Sequence, residues 1–190
     1  MRSSDTRRVI LLSTLLVFVL IGAFYFDKEI VSLFLFMRNG FLNGFFMGIE
    51  VISSLFIVLI FVTALFIYKN KKRWLIPLWT TLALDVILGF LLKVTIQRAR
   101  PFEVGLIPLI DGLEKASHSL WDFSFPSFQT MMFFSMIPFF SREFPKLKYV
   151  WIVLACLVAF SRVYLGLHFL SDVIAGAIIG YLIGYVMVRR

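Results

Sequence analysis

Cysteine occurs once, at position 156, inside an apolar run. One thiol excludes an internal disulfide and a cysteine metal site, and leaves the redox compartment unwritten. Charge is scarce too. Asp, Glu, Lys and Arg make up 16% of the chain, against about a quarter in ordinary globular proteins. Internal repeats, low-complexity tracts and soluble linkers are missing, and only two histidines are present. What fills the space is apolar: 61% of the 190 residues, with 23 phenylalanines. A soluble globule cannot hide that much apolar surface, which excludes a water-soluble enzyme, a nucleic-acid-binding module and a disordered tail. The net charge of +8 sits in short clusters between long apolar runs, as in membrane anchors. The expectation is one domain over residues 1–190, embedded in a membrane.

A bilayer core of about 30 Å asks for roughly 20 apolar residues per helix. The runs that meet or approach this are Ile10–Phe26, Met47–Tyr68, Trp74–Val94, Ser127–Phe140, Tyr149–Tyr164 and Phe169–Val188. The stretch KEIVSLFLFMRNGFLNGFF between the first two is interrupted by Arg38, Asn39 and Gly40. That pattern predicts a helix lying in the interface. The first run follows Arg7 and Arg8 but no small-residue cleavage site follows it, so it reads as an uncleaved anchor. The expected fold class is therefore all-α: a six-span helical bundle with an interfacial helix between spans one and two.

Sidedness follows from Lys and Arg. With a cytoplasmic N-terminus, the inner ends carry Arg2, Arg7, Arg8, Lys69, Lys71, Lys72, Arg73, Arg142, Lys146, Lys148, Arg189 and Arg190. The outer side holds Lys28, Arg38, Lys93, Arg98, Arg100, Lys115 and Arg162. The bias favours both termini inside. Cations on the disfavoured side then need a reason to be there. For Arg98 and Lys115, snorkelling to headgroups and a place in a site stand as equal readings. Lys93, Arg100 and Arg162 call for a reason beyond snorkelling.

Four helix ends supply it. Span three finishes in KVTIQRARP, span four starts at FPSFQT, span five finishes in SRVYLG and span six starts at HFLSD. Alternating crossings bring all four to the outer face. Lys93 and Arg100 lie two turns apart and share a face if the helix runs that far. His168 and Asp172 are one turn apart. Pro126 suits a helix start, whose N–H groups point into the same space as the cations. Cations, a helix N-terminus and a carboxylate-backed imidazole together suit phosphate. Asp85 and Glu50 are carboxylates at membrane depth, where such groups are normally partnered. A contact between Asp85 and Lys93 is the first expectation, and neither acid is given a catalytic role.

Lys93-x6-Arg100-Pro101, then Pro126-Ser127, then Ser161-Arg162-x5-His168-x3-Asp172 resembles the three-part signature of the type 2 phosphatidic acid phosphatase family, relatives of the bacterial acid phosphatases and vanadium haloperoxidases. The first and third parts match in full. The middle part reads Pro126-Ser127-Phe128-Gln129, where the family pattern is Pro-Ser-Gly-His. The resemblance implies a lipid phosphatase without metal or other cofactor, acting on the outer side of the membrane. It implies His168 as nucleophile, with Asp172 holding its far N–H. Lys93, Arg100 and Arg162 then neutralise the phosphoryl oxygens, helped by Ser127 and its neighbouring backbone.

The histidine missing from the middle part is the family's usual proton donor. Gln129 can donate a hydrogen bond to the leaving oxygen but cannot deliver a proton. An alkoxide leaves poorly without one, being about as basic as hydroxide. A phosphate, with a pKa of roughly 6, leaves unprotonated. The expected substrate is therefore a polyprenyl diphosphate cut to its monophosphate, ahead of phospholipid monoesters. His118, in the loop Phe102–Phe125, is an alternative proton source that would restore the monoesters; Trp121 and Phe123 in that loop read as interfacial anchors. Two other readings stand beside hydrolysis: a lipid phosphotransferase on the same scaffold, and a silent lipid-phosphate binder. No protein partner is implied. The expected location is the plasma membrane.

Overall fold

A computed structural model describes residues 3–113 and 123–189, with side chains except at positions 3–10, 12 and 13. His118, Lys115 and Trp121 lie outside the described residues. Those described form helices and loops, with no strand. The helices are α1 (Ser3–Met37), α2 (Gly40–Ile52), α3 (Leu55–Tyr68), α4 (Leu75–Ile96), α5 (Phe128–Glu143), α6 (Leu147–Tyr164) and α7 (Leu170–Arg189), with a 3-10 turn at Lys72–Trp74 before α4. Among the described residues, three helices are long and apolar enough to cross a membrane: 72–96 with its 3-10 turn, α6 and α7. The bent pair α2–α3 makes a fourth if taken as one crossing.

The interfacial helix is not a separate element. No glycine or proline follows Gly22 before Gly40, so the first run continues through Lys28 to Met37 as one 35-residue helix. At 1.5 Å per residue that is about 50 Å, well beyond the apolar thickness of a bilayer. The break comes at Arg38-Asn39. Asn39 caps α2 by accepting the N–H of Leu42 at 2.9 Å. Arg38 turns inward and donates to the carbonyls of Leu165 (3.0 Å) and Tyr164 (3.3 Å), the free end of α6. A cation there offsets the carbonyls a helix leaves unpaired. The second expected span is also broken. Ser53 and Ser54 interrupt it, and α2 and α3 meet at 62°. Consecutive serines offer the backbone side-chain partners of its own; Ser53 Oγ donates to the Glu50 carbonyl at 3.1 Å.

Helix α5 is the centre. Its 16 residues are short for a membrane crossing, and most are buried, because α4, α6 and α7 surround it. Trp151 of α6 lies between Phe133 and Phe140 of α5, ring centroids 5.2 and 4.3 Å away, and donates its Nε1–H to the Phe133 carbonyl at 2.9 Å. Asp85 does not meet Lys93. It faces α5 and accepts from Ser135 Oγ at 2.6 Å.

Gly176, Gly180 and Gly184 form a stripe along α7 that seats the α5 backbone. A methyl at Gly180 or Gly184 would overlap the Met131 or Ser135 carbonyl oxygen, far short of van der Waals contact distance, and one at Gly176 would lie 2.7 Å from that of Ser127. Small residues at this spacing let two membrane helices approach closely. The stripe fixes where the first turn of α5 sits relative to Asp172. Gly180→Ala is expected to cost about 1–3 kcal/mol, read as a lower unfolding midpoint in detergent. Gly22→Ala, where a methyl meets open space, is expected to leave that midpoint unchanged or slightly raised.

Candidate active site

The four helix ends meet as the sequence predicts. The C-terminal ends of α4 and α6 and the N-terminal ends of α5 and α7 surround a cavity of about 350 Å³. Lys93, Arg100, Arg162 and His168 line it, with Phe128 and Gln129 from the start of α5 and Glu50 from α2. Among the described residues, three cations thus face one carboxylate.

Lys93 and Arg100 get there by a different route from the one expected. Helix α4 ends at Ile96, and Gln97 adopts a left-handed conformation, φ 50°. The chain leaves the helix axis, so the two cations share no helical face. Arg100 is instead fixed by its backbone N–H donating to Glu103 Oε2 at 2.7 Å and its guanidinium donating to the Leu167 carbonyl at 3.2 Å. Lys93 Nζ donates to the Phe123 carbonyl. Arg162 is fully buried, donating to Ser161 Oγ at 3.2–3.3 Å and paired with Glu50.

His168 precedes α7 and is 2% exposed. Its Nδ1 is 2.7 Å from the Ser124 carbonyl oxygen. A carbonyl only accepts, so Nδ1 carries the proton and Nε2 keeps its lone pair. This corrects the expected role of Asp172, whose Oδ2 is 3.9 Å from Nδ1. The physical reason is that the carboxylate is fully engaged elsewhere. It accepts from the Phe169 N–H (2.8 Å), Ser124 Oγ (2.5 Å) and Arg98 (2.5 Å). The bond to the Phe169 N–H satisfies a donor at the start of α7. Asp172 is therefore linked to the imidazole through Ser124. Burial, and then the charges of Arg100, Lys93 and Arg162, hold the His168 imidazolium well below the ordinary 6.5.

Ser127 does not line the cavity. Its N–H donates to the Asp172 carbonyl at 3.1 Å, and its hydroxyl pairs with Thr130 Oγ1 at 3.0 Å. As the residue before α5 it makes no side-chain cap, so the first N–H groups of α5 are left for another acceptor.

Four participants were not assigned from sequence. Asp27 of α1 is 2% exposed and accepts from Arg98 (2.7 Å), the Ser171 N–H (2.9 Å) and the Ser171 hydroxyl (2.5 Å). Arg98 joins Asp27 to Asp172 and lies over the Phe169 ring, 4.0 Å from its centroid. It does not snorkel. Ser124 serves both His168 and Asp172. Glu50 meets Arg162. The available signal was an acid at or inside an apolar run, as in FYFDKE and MGIEV. Among the described residues, no group of three or more His, Cys, Asp or Glu is placed to hold a metal.

A second cavity, of about 640 Å³ and apolar, runs between α3 and α4 past Leu59, Thr63, Ile67 and Trp79. Leu55 and Val86 line both cavities. The charged pocket and the apolar groove thus adjoin at Leu55 and Val86.

Fold and site together define an all-helical membrane protein with an anion pocket at its helix ends. The particular family follows from the sequence: residues 74–190 match the PAP2 superfamily, and the chain belongs to it. Over 176 residues it is 30% identical to phosphatidylglycerophosphatase B of Bacillus subtilis, covering 85% of this chain and 81% of that one. Over 165 residues it is 25% identical to an undecaprenyl-diphosphatase of Sulfolobus acidocaldarius, covering 86% and 78%. The crystal structure of a transmembrane PAP2 type phosphatidylglycerolphosphate phosphatase from Bacillus subtilis matches with a TM-score of 0.71 and 27% identity, over 93% of both chains. The chain is a phosphoric ester hydrolase of this family.

Proposed function

We propose that the protein is a metal-independent lipid phosphatase that cuts a polyprenyl diphosphate to its monophosphate on the outer face of the plasma membrane. In this reading it crosses the membrane six times, with α1 and α5 as crossings and α2–α3 as one, and both termini lie in the cytoplasm. The observation that carries the chemistry is His168. Its Nδ1 proton is committed to the Ser124 carbonyl, so Nε2 is an unprotonated nucleophile in a pocket with three cations.

Nε2 attacks the terminal phosphorus. The bond from phosphorus to the bridging oxygen breaks, and its electron pair leaves with the lipid monophosphate. Lys93, Arg100 and Arg162 neutralise the equatorial oxygens, where fixed charges act most strongly on the transition state. The N–H groups at the start of α5 supply further donors. Positive charge on the phosphorylated imidazole is offset by Asp172 through Ser124. Water then attacks phosphorus, and the bond to Nε2 breaks. The apolar groove past Leu59 and Trp79 suits the lipid tail.

Gln129 supports the choice of substrate, because it can hydrogen-bond a departing phosphate without protonating it. The purified protein in detergent with chelator is expected to release phosphate from polyprenyl diphosphate at least about tenfold faster than from phosphatidate or phosphatidylglycerophosphate. Equal rates would overturn the substrate assignment. Release only when a lipid or sugar hydroxyl is added would make the protein a phosphotransferase, and binding without turnover would make it a silent binder.

A further inference from the structure

We propose that Glu50 is a second proton-transfer residue of this site, serving substrates whose leaving oxygen cannot depart without a proton, and so stands in for the histidine that Gln129 replaces. The inference rests on the phosphatase reading above and extends it to lipid phosphomonoesters.

Consider what can carry a proton in the cavity. Among the described residues lining it, Lys93, Arg100 and Arg162 act by staying charged, and the unprotonated nitrogen of His168 is the nucleophile. Gln129 has nothing to transfer. Glu50 is the remaining titratable group. The Ser53–Ser54 break brings it there: α2 meets α3 at 62°, and both Glu50 and Leu55 reach the cavity wall from either side of the bend. Its side chain is 18% exposed, whereas that of its partner Arg162 is 1% exposed. Both residues line the cavity, so the ion pair lies at its wall, with the Glu50 oxygen that meets the guanidinium buried there.

A carboxylate in a phosphate site is unfavourable if it stays charged beside the bound anion. The incoming phosphoryl group competes with Glu50 for Arg162. Two anions cannot share one guanidinium without mutual repulsion, and a proton taken up with the substrate removes it. Glu50 then enters the reaction as a carboxylic acid, carrying a proton taken from solvent as the anion binds.

The steps balance. Nε2 of His168 forms a bond to phosphorus as the ester P–O bond breaks. The electron pair of that bond goes to the leaving oxygen, which takes the Glu50 proton and departs as the lipid alcohol. Water next attacks phosphorus and gives one proton to the Glu50 carboxylate. The P–N bond breaks, its pair returns to Nε2, and phosphate leaves. For a diphosphate the first proton transfer is unnecessary, because the leaving phosphate is a weak base.

The test compares two substrates in the same preparation, so that loss of folded protein cancels. Wild type, Glu50→Gln and Glu50→Asp are assayed on phosphatidate and on polyprenyl diphosphate. The ratio of phosphatidate to diphosphate turnover is expected to fall about a hundredfold or more in Glu50→Gln, the range a general acid supplies. It is expected to recover in part in Glu50→Asp, which keeps a carboxyl group. A merely structural Glu50 would depress both substrates equally and leave the ratio unchanged, which would overturn the inference. Wild-type turnover of the diphosphate with none of phosphatidate would also overturn it, leaving the phosphatase reading intact. Wild-type protein inert on both would overturn the phosphatase reading itself.

Discussion

Replacing His168 with asparagine is expected to lower phosphate release by about 10⁴-fold or more, the scale on which enzymes lose rate with their nucleophile. Asparagine can still donate toward the Ser124 carbonyl, so the loss reads chemistry and not collapse of the loop. The same histidine makes a second observable. Burial and three neighbouring cations hold its imidazolium well below 6.5. As pH falls through 6.5, an ordinary histidine gains a proton while His168 stays neutral and nucleophilic. Two histidines in the whole chain make this accessible to nitrogen NMR on histidine-labelled protein. One ring is expected to remain neutral at pH 6, and its signal to vanish in His168→Asn. A His168 that titrates at 6.5 would remove the electrostatic part of the account.

The second large effect belongs to Arg98. It lies between two buried carboxylates, Asp27 at 2.7 Å and Asp172 at 2.5 Å, and also donates to Ser171 Oγ at 2.6 Å. Arg98→Met leaves both buried acids without a cationic partner. Breaking such a pair costs about 3–5 kcal/mol, enough to deplete folded protein in detergent. Arg98→Lys keeps the charge but not the planar fork that reaches both acids at once. That variant is expected to fold and to lose about tenfold to a hundredfold in kcat with little change in KM. Arg98 does not line the cavity and acts as a positioning residue through Asp172. An Arg98→Lys defect confined to KM would contradict that role.

The cluster of helix ends was readable because it rests on residue types at fixed spacing. Lys93, Arg162, His168 and Asp172 are unusual at the ends of apolar runs, and alternating crossings are enough to gather such ends. The link between His168 and Asp172 was misjudged for a local reason. One helical turn of separation suggests contact, but His168 precedes α7, and the Ser124 carbonyl occupies its Nδ1. Ser124 belongs to a loop whose path no periodicity encodes. Asp27 and Glu50 were visible as acids in apolar surroundings, but their partners lie 71 and 112 positions along the chain, in Arg98 and Arg162. Only tertiary structure joins them. Arg38, Asn39 and Gly40 read in the sequence as interruptions that suggest an interfacial helix, whereas the structure has α1 running to Met37 and α2 starting at Gly40. Asn39 is a cap for α2 and Arg38 a clamp on the end of α6. The glycine stripe on α7 was present in the sequence as well. Its meaning appears only when the α5 backbone is seen against it.

The central claim is that phosphate passes through His168, and trapping the phosphorylated protein tests it most directly. The purified chain would be mixed with polyprenyl diphosphate labelled in its terminal phosphate, with chelator present, and quenched in alkali. The account predicts label on the protein that survives alkali, is lost in acid and is absent from His168→Asn. Label and phosphate release persisting in His168→Asn would contradict it.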